Sequence, residues 1–155
     1  MRQRRYIWSV ILFACLLAMA CNNQPANESA MEIESTKEHE MQVHYVEIVT
    51  SDVANTCAAL EKVHGLKFGD EVADLGNARV SKATNGSSVG VRAPLADHET
   101  PIVRTYYAVD DISKTVSDAE AAGAIVAYPP TKQGDTGTWA IYILHGIQYG
   151  LWQGQ

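Results

Sequence analysis

The sequence is short of positive charge and of cysteine, and each shortage excludes a class of protein. It has 12 Lys and Arg residues against 18 Asp and Glu residues, so its net charge is −6. An acidic chain has no electrostatic attraction for phosphate backbones, and we expect no nucleic-acid partner. Of the 3 cysteines, only Cys57 falls within the predicted folded domain, so no intramolecular disulfide can form there. Cys57 is predicted to be a small core residue rather than a nucleophile.

The N-terminal part lacks an apolar run long enough to cross a bilayer comfortably. The run over residues 6–20 is broken only by Ser9, whereas a spanning helix needs about 20 residues. Arg2, Arg4 and Arg5 precede this run, and small residues end it. A basic start followed by a short apolar stretch predicts an export signal over residues 1–20.

The end of the apolar run, residues 17–21 (LAMAC), resembles the lipobox of bacterial lipoproteins. The resemblance implies that Cys21 carries the lipid and anchors the chain to a membrane, although Leu17 stands one residue further from the cysteine than usual. Cys15 is a weaker candidate, and an ordinary cleaved signal is the alternative. In such lipoproteins, Asp directly after the lipidated cysteine is the usual signal for retention in the inner membrane. Asn22 stands there instead, which resembles lipoproteins sorted to the periplasmic face of the outer membrane in the cell envelope.

Residues 22–41 are rich in Asn, Gln, Glu, Ser and Lys and have few large apolar side chains. Such a segment cannot bury enough surface to order itself, so residues 21–41 are predicted to be a flexible tether beginning at the lipidated cysteine. The composition changes at Gln42, where a stretch rich in Val, Ile and Tyr predicts a strand and the start of a domain over residues 42–155.

The domain contains an internal repeat. Residues 45–53 (YVEIVTSDV) align with residues 104–112 (RTYYAVDDI), so that a strand and a helix-capping aspartate coincide in the two copies. Further on, residues 89–92 (VGVR) align with residues 149–152 (YGLW). We therefore predict an α+β fold of two tandem βαβββ modules, which should pack together because one copy cannot bury both faces of its sheet.

Local signals set the bounds of the predicted elements. The helices should cover residues 53–64 and 112–122, because a glycine follows each of them. A strand over residues 124–128 should stop at Pro129-Pro130, since proline cannot donate a ladder hydrogen bond.

The repeat and residues 106–112 (YYAVDDI), 120–123 (EAAG), 129–130 (PP) and 149–153 (YGLWQ) resemble glyoxalase-like members of the glyoxalase, bleomycin-resistance and dioxygenase superfamily, the vicinal oxygen chelate proteins. The resemblance implies a curved mixed sheet around a shared cavity, and a homodimer, since relatives often pair. It also implies a divalent metal held by His, Gln or Glu from the first and last strands of each module.

The residues at the four implied ligand positions are Tyr45, Gly90, Arg104 and Gly150, and none of them is a standard metal ligand. In this alignment the side chains that would bind the metal are missing, and no cofactor is expected. A divalent metal stays open as an alternative, with His44 turned inward by a strand bulge and Glu47 as its ligands. No pair of histidines has ligand spacing on one element.

Strand alternation predicts which side chains face the cavity. Besides Glu47, these are the candidate ligand-binding residues Tyr45, Arg92, Arg104, Tyr106, Gln148 and Trp152. Arg104 is suited to a carboxylate or a phosphate, and glycines at positions 90 and 150 should leave room near the cavity floor. The alternative is that Glu47 and Arg104 pair with each other and that Tyr106 and Trp152 are filler.

Three functions are consistent with these features, and enzymatic activity is left open. The first is binding of a small organic ligand without metal. The second is a glyoxalase-like lyase, isomerase or related enzyme with a modified metal site, in which Glu47 is the proposed proton-moving base. The third is an envelope interaction protein, which would have a poor cavity and an exposed apolar patch.

Overall fold

The computed structural model describes residues 41–155, which form one mixed sheet of eight strands with two helices. The predicted export signal, the lipidated Cys21 and the tether up to residue 40 lie outside the described residues. No helix within residues 41–155 is long and apolar enough to span a membrane.

The two halves of the domain have the same element order, apart from one short 3-10 turn. The first half contains β1 Gln42–Val49, α1 Val53–His64, β2 Glu71–Val72, the 3-10 turn Ala73–Leu75, β3 Ala78–Lys82 and β4 Ser88–Arg92. The second half contains β5 Ile102–Ala108, α2 Ile112–Ala121, β6 Ile125–Gln133, β7 Gly137–Leu144 and β8 Ile147–Gly154. The predicted α+β fold of two βαβββ modules is confirmed.

The strand order β2-β3-β4-β1-β5-β8-β7-β6 relates the two modules by a pseudo-twofold axis. Within each module the first strand pairs in parallel with the last, β1 with β4 and β5 with β8, while β1 and β5 pair antiparallel at the centre. Glu47 lies opposite Gly90, and Tyr106 lies opposite Gly150. These equivalent pairs match the alignment of the two sequence repeats.

The helices begin and end where local chemistry predicts. Asp52 accepts a hydrogen bond from the Asn55 amide at 3.3 Å, and Asp111 accepts one from the Lys114 amide at 2.9 Å. Such caps satisfy amides that have no partner inside the helix. Gly65 ends α1 with a φ of 68°, a left-handed conformation that glycine adopts without strain.

Each helix covers one face of its own module through a separate hydrophobic core. Ile112, Val116, Ala140 and Leu151 form the core beneath α2, and Cys57, Phe68 and Val91 form the core of the first module. Burial raises the pKa of the Cys57 thiol, which favours a packing role over a nucleophilic one. Because side chains alternate across a strand, Arg92, the residue after Val91, points to the opposite, uncovered face of the sheet.

The prediction that Pro129-Pro130 ends the sixth strand is wrong. Strand β6 continues to Gln133 and pairs with β7 beyond the prolines, with register shifts between Val126 and Tyr128 and between Tyr128 and Thr131. Because β6 is an edge strand, a proline there can face away from the ladder and leave no partner unsatisfied. The irregular register accommodates both prolines.

Candidate ligand-binding site

A cavity of about 1200 Å³ lies on the face of the sheet that the helices leave uncovered, and both modules line it. A volume of this order suits a small organic ligand. All the residues that alternation assigned to this face line the cavity: Tyr45, Glu47, Arg92, Arg104, Tyr106, Gln148 and Trp152.

Glu47 is the centre of a buried charged cluster on the cavity floor. It lies opposite Arg104 in the pairing of β1 with β5, and only 7% of its surface is exposed. Its Oε2 accepts a hydrogen bond from Nη1 of Arg104, and its Oε1 accepts one from Nε of Arg92 at 2.6 Å. The Tyr106 hydroxyl also donates to Oε2, at 3.3 Å. The pairing of Glu47 with Arg104, one of the two alternatives, is therefore present, and Arg92 joins it.

Each arginine has a further partner, and the partner differs between the modules. Arg92 donates from Nη1 and Nη2 to the two carboxylate oxygens of Glu99, at 2.8 and 2.7 Å. These hydrogen bonds raise the pKa of Arg92 above its ordinary value and lower the pKa of Glu99 to about 2. Arg104 instead donates from Nε and Nη2 to the neutral Gln148 Oε1, at 2.9 and 2.5 Å. Two arginines and two glutamates leave the cluster formally uncharged.

The expectation that glycines 90 and 150 leave free space on the cavity floor is wrong. The ring of Tyr45 covers Gly90, so that a Cβ added there would lie 2.6 Å from the Cζ atom of the ring. The ring of Tyr106 covers Gly150 in the same way, and a Cβ added at Gly150 would lie 2.5 Å from the Cγ atom of that ring. The glycines admit the two neighbouring phenol rings, whose centroids are 5.8 Å apart.

The two tyrosines differ in their hydrogen bonds. The hydroxyl of Tyr106 reaches Glu47, whereas the hydroxyl of Tyr45 is the one buried side-chain polar atom among residues 41–155 that has no hydrogen-bond partner. Burial, followed by the charge of Glu47, raises the pKa of Tyr45, and the same causes raise that of Tyr106 to about 12. Both phenols therefore stay protonated at neutral pH, and the proton of Tyr106 is the one donated to Glu47.

His44 lies at an irregularity in β1. The register between β1 and β5 shifts between Val43 and Tyr45, and His44 lines the cavity beside Trp152. The two rings are stacked with centroids 4.8 Å apart and planes 2° from parallel. Burial lowers the pKa of His44, so the imidazole is neutral at physiological pH.

The residues of the site do not fit the divalent metal that the resemblance implies. The four aligned positions supply a phenol, a guanidinium and two glycines. The carboxylate of Glu47 already accepts hydrogen bonds from Arg92 and Arg104, and both guanidinium charges would repel a cation. Within the described part of the chain, no group of three or more His, Cys, Asp and Glu residues could hold a metal ion.

Among the cavity-lining residues that were not predicted from the sequence, three matter most for the site: Trp139, Tyr128 and Glu99. Trp139 lies opposite Trp152 in the pairing of β7 with β8. The ring centroids of Tyr128 and Trp139 are 5.6 Å apart. These rings therefore extend an aromatic wall of the cavity on the second module. The hairpin register between β7 and β8 could have predicted Trp139, whereas β6 is too irregular to predict Tyr128. Glu99 lies in a loop without any periodicity, and no sequence signal indicates its contact with Arg92.

No protein family and no curated protein matches the chain by sequence. Solved structures do match its fold. A hypothetical protein from Bacillus halodurans C-125 has a TM-score of 0.59 and 11% identity, over 75% of this chain and 96% of that chain. Methylmalonyl-CoA epimerase from Mycobacterium tuberculosis has a TM-score of 0.56 and 14% identity, over 73% of this chain and 87% of that one.

A third similar structure is a variant of the Streptomyces coelicolor methylmalonyl-CoA epimerase in complex with 2-nitronate-propionyl-CoA. Its TM-score is 0.53 and its identity 15%, over 73% of this chain and 96% of that chain. At these identities the likeness shows the fold alone. The chain has the fold of the vicinal oxygen chelate proteins, in agreement with the resemblance of its sequence repeat.

Proposed function

We propose that residues 42–155 bind a small organic molecule and do so without a metal ion. The observation that supports this proposal best is that two arginines hydrogen-bond to the Glu47 carboxylate. The one carboxylate of the central strands that faces the cavity is held by Arg92 and Arg104, so it is not free to coordinate a cation. Two tyrosine rings cover the glycine positions, so aromatic side chains fill the floor where the superfamily has metal ligands.

The walls of the cavity support an organic ligand with a planar part. Trp152, Trp139 and Tyr128 line one side, and the aliphatic side chains of Leu75, Val80 and other residues line the other. Ligand sites of this kind combine apolar walls with a few polar groups that fix orientation.

The enzymatic alternative, a glyoxalase-like lyase or isomerase, would need Glu47 as its base. Glu47 already accepts three hydrogen bonds, from Arg92, Arg104 and Tyr106, and these occupy most of its roughly four lone-pair sites before a substrate arrives. This arrangement favours a binding module over the enzyme, and Glu47 is proposed to orient the arginines.

The test is metal content and ligand binding of the domain over residues 42–155, which contains all eight strands and both cores. We expect no stoichiometric Ni, Zn, Mn or Fe and no metal-induced thermal shift. Trp139 and Trp152 are the tryptophans of this domain and both line the cavity, so quenching of their fluorescence reports a bound ligand. One tightly bound metal per chain, or a shift of several degrees, would favour the enzyme instead.

We also propose that the domain is held in the cell envelope by a lipid on Cys21, at the periplasmic face of the outer membrane. The support is the sequence of residues 17–22. Metabolic labelling with palmitate should mark the wild-type chain, and Cys21→Ser should abolish the label. Cys15→Ser is the matched control and should keep it. A label that survives Cys21→Ser would contradict the proposed anchor.

A further inference from the structure

The loop over residues 93–101 joins β4 to β5, and so joins the two modules, and it runs along the cavity. Leu95, Ala96, His98, Glu99 and Thr100 all line the cavity. Among them, Glu99 places a charged group against the cavity floor, where it contacts Arg92.

Arg92 binds two carboxylates that differ in how they are held. Glu47 lies within β1 and accepts from Nε, whereas Glu99 lies in the loop and accepts from both terminal nitrogens. The backbone amide of Leu95 adds a third donor to Glu99, at 2.7 Å. Two parallel N–H donors on a guanidinium, with an amide beside them, form a complementary site for one planar carboxylate.

The side chain of Glu99 is also the partner nearest to solvent. It is 20% exposed, compared with 9% for Glu47 and 6% for Arg92. If Glu99 turned out to water, the cluster of Arg92, Arg104 and Glu47 would keep one uncompensated positive charge beside the cavity. Exchange of Glu99 for another carboxylate restores both the charge balance and the hydrogen bonds.

We propose that Arg92 is the carboxylate-binding subsite of the cavity, and that Glu99 occupies it until the carboxylate of a ligand takes its place. This inference rests on the proposed function, because it requires that the cavity binds a small molecule. It narrows the ligand to an organic carboxylate, and it assigns the loop over residues 93–101 to the control of access.

The experiment compares two probes, benzoate and its neutral analogue benzamide, by calorimetric titration of the full-length chain. The variant Glu99→Ala removes the internal carboxylate. The matched control Asp97→Asn removes the same charge from an exposed position of the same loop. We expect Glu99→Ala to tighten benzoate binding by about tenfold or more, because the competing group is gone. Asp97→Asn should change it by less than about twofold, since an exposed charge is screened.

A second measurement keeps the proposal testable if Glu99→Ala does not fold. In NMR spectra of the wild-type chain, benzoate should shift the amide signal of Leu95, which donates to Glu99. Benzamide should leave that signal in place.

Equal benzoate affinity in the wild type and Glu99→Ala, or an unchanged Leu95 amide, would overturn the carboxylate subsite. If benzamide still bound in that case, the proposed small-molecule binding would stand without it. If neither probe bound to any variant, the subsite would fail, and the proposed function would be decided by the metal content and tryptophan quenching of the domain.

Discussion

Glu47 is the residue that sets this cavity apart from a metal site. A carboxylate facing the cavity from β1 could coordinate a cation if it were free, but Arg92 and Arg104 each donate to one of its oxygens. Buried charges are stable only when they are paired and hydrogen-bonded. Glu47 therefore accepts hydrogen bonds from two guanidinium groups at once, and its removal should cost stability rather than only binding.

We expect Glu47→Gln to lower the free energy of unfolding by about 3–5 kcal/mol, because it leaves the buried cluster with one uncompensated positive charge. Urea denaturation of both proteins measures the difference. Glu120→Gln, at an exposed position of α2, removes the same charge and should change stability by less than about 0.5 kcal/mol. A loss below about 1 kcal/mol for Glu47→Gln would show that the cluster does not depend on this carboxylate.

The Arg92–Glu99 pair should make stability depend on pH in acid. Arg92 lowers the pKa of Glu99 from 4.5 to about 2. A pKa that is lower in the folded state gives stability that is present above about pH 4.5 and is lost as the pH falls towards about 2. We expect a loss of roughly 1–2 kcal/mol, less than the shift alone would give, because solvent screens part of the pair.

Thermal unfolding of the wild type and Glu99→Gln between about pH 5 and 2 measures this contribution. The stability difference between the two proteins should shrink as the pH falls, because protonation removes the same charge from the wild type. The difference in stability between Asp97→Asn and the wild type should stay nearly constant over this pH range. A constant offset for Glu99→Gln would contradict the assigned role of the pair.

At the scale of elements, the sequence predicts what local chemistry determines. The bounds of α1 follow from the cap at Asp52 and from Gly65, and both are in place. The path of β6 depends on irregular pairing with its neighbour β7, so the prolines gave a wrong end point. The cavity-facing residues were predicted by strand alternation, but alternation does not say how far a ring reaches. The rings over Gly90 and Gly150 were therefore missed.

The contact between β5 and β8 gives a prediction about Gly150. A Cβ at this position would lie 2.5 Å from Cγ of Tyr106, an atom that can move away only if χ1 changes and the ring leaves its place, or if the strand shifts. We expect Gly150→Ala to destabilise the domain by about 1–3 kcal/mol, as overpacking usually does.

The control for Gly150→Ala is Gly154→Ala at the end of the same strand, where a Cβ meets nothing within 4 Å. It should change the free energy of unfolding by less than about 0.5 kcal/mol. Equal effects of the two substitutions in urea denaturation would show that the ring of Tyr106 is free to leave Gly150.

At the scale of the whole molecule, the repeat predicts the architecture but not the chemistry, because the two modules have diverged on the cavity floor. Positions related by the repeat carry Glu47 in one module and Tyr106 in the other, and Tyr45 in one and Arg104 in the other. Antiparallel pairing of β1 with β5 sets Glu47 opposite Arg104 and Tyr45 opposite Tyr106. The charges are thus balanced between modules, which predicts that neither half folds fully alone.

We therefore expect a fragment over residues 102–155 to be largely unfolded alone and to regain structure when mixed with a fragment over residues 41–101. Without the first module, β5 of this fragment becomes an unpaired edge strand. Arg104, which is buried in the intact domain, also loses the charge of Glu47. Self-pairing through β5 does not repair this, since the repeat would set each Arg104 opposite Tyr106 of the second copy.

Far-UV circular dichroism and size-exclusion chromatography of each fragment and of the mixture test this expectation, with the intact domain as the reference. A fragment over residues 102–155 that unfolds cooperatively as a monomer would contradict it. In that case the charge pairing across the centre of the sheet would serve the cavity alone and would not be required for folding.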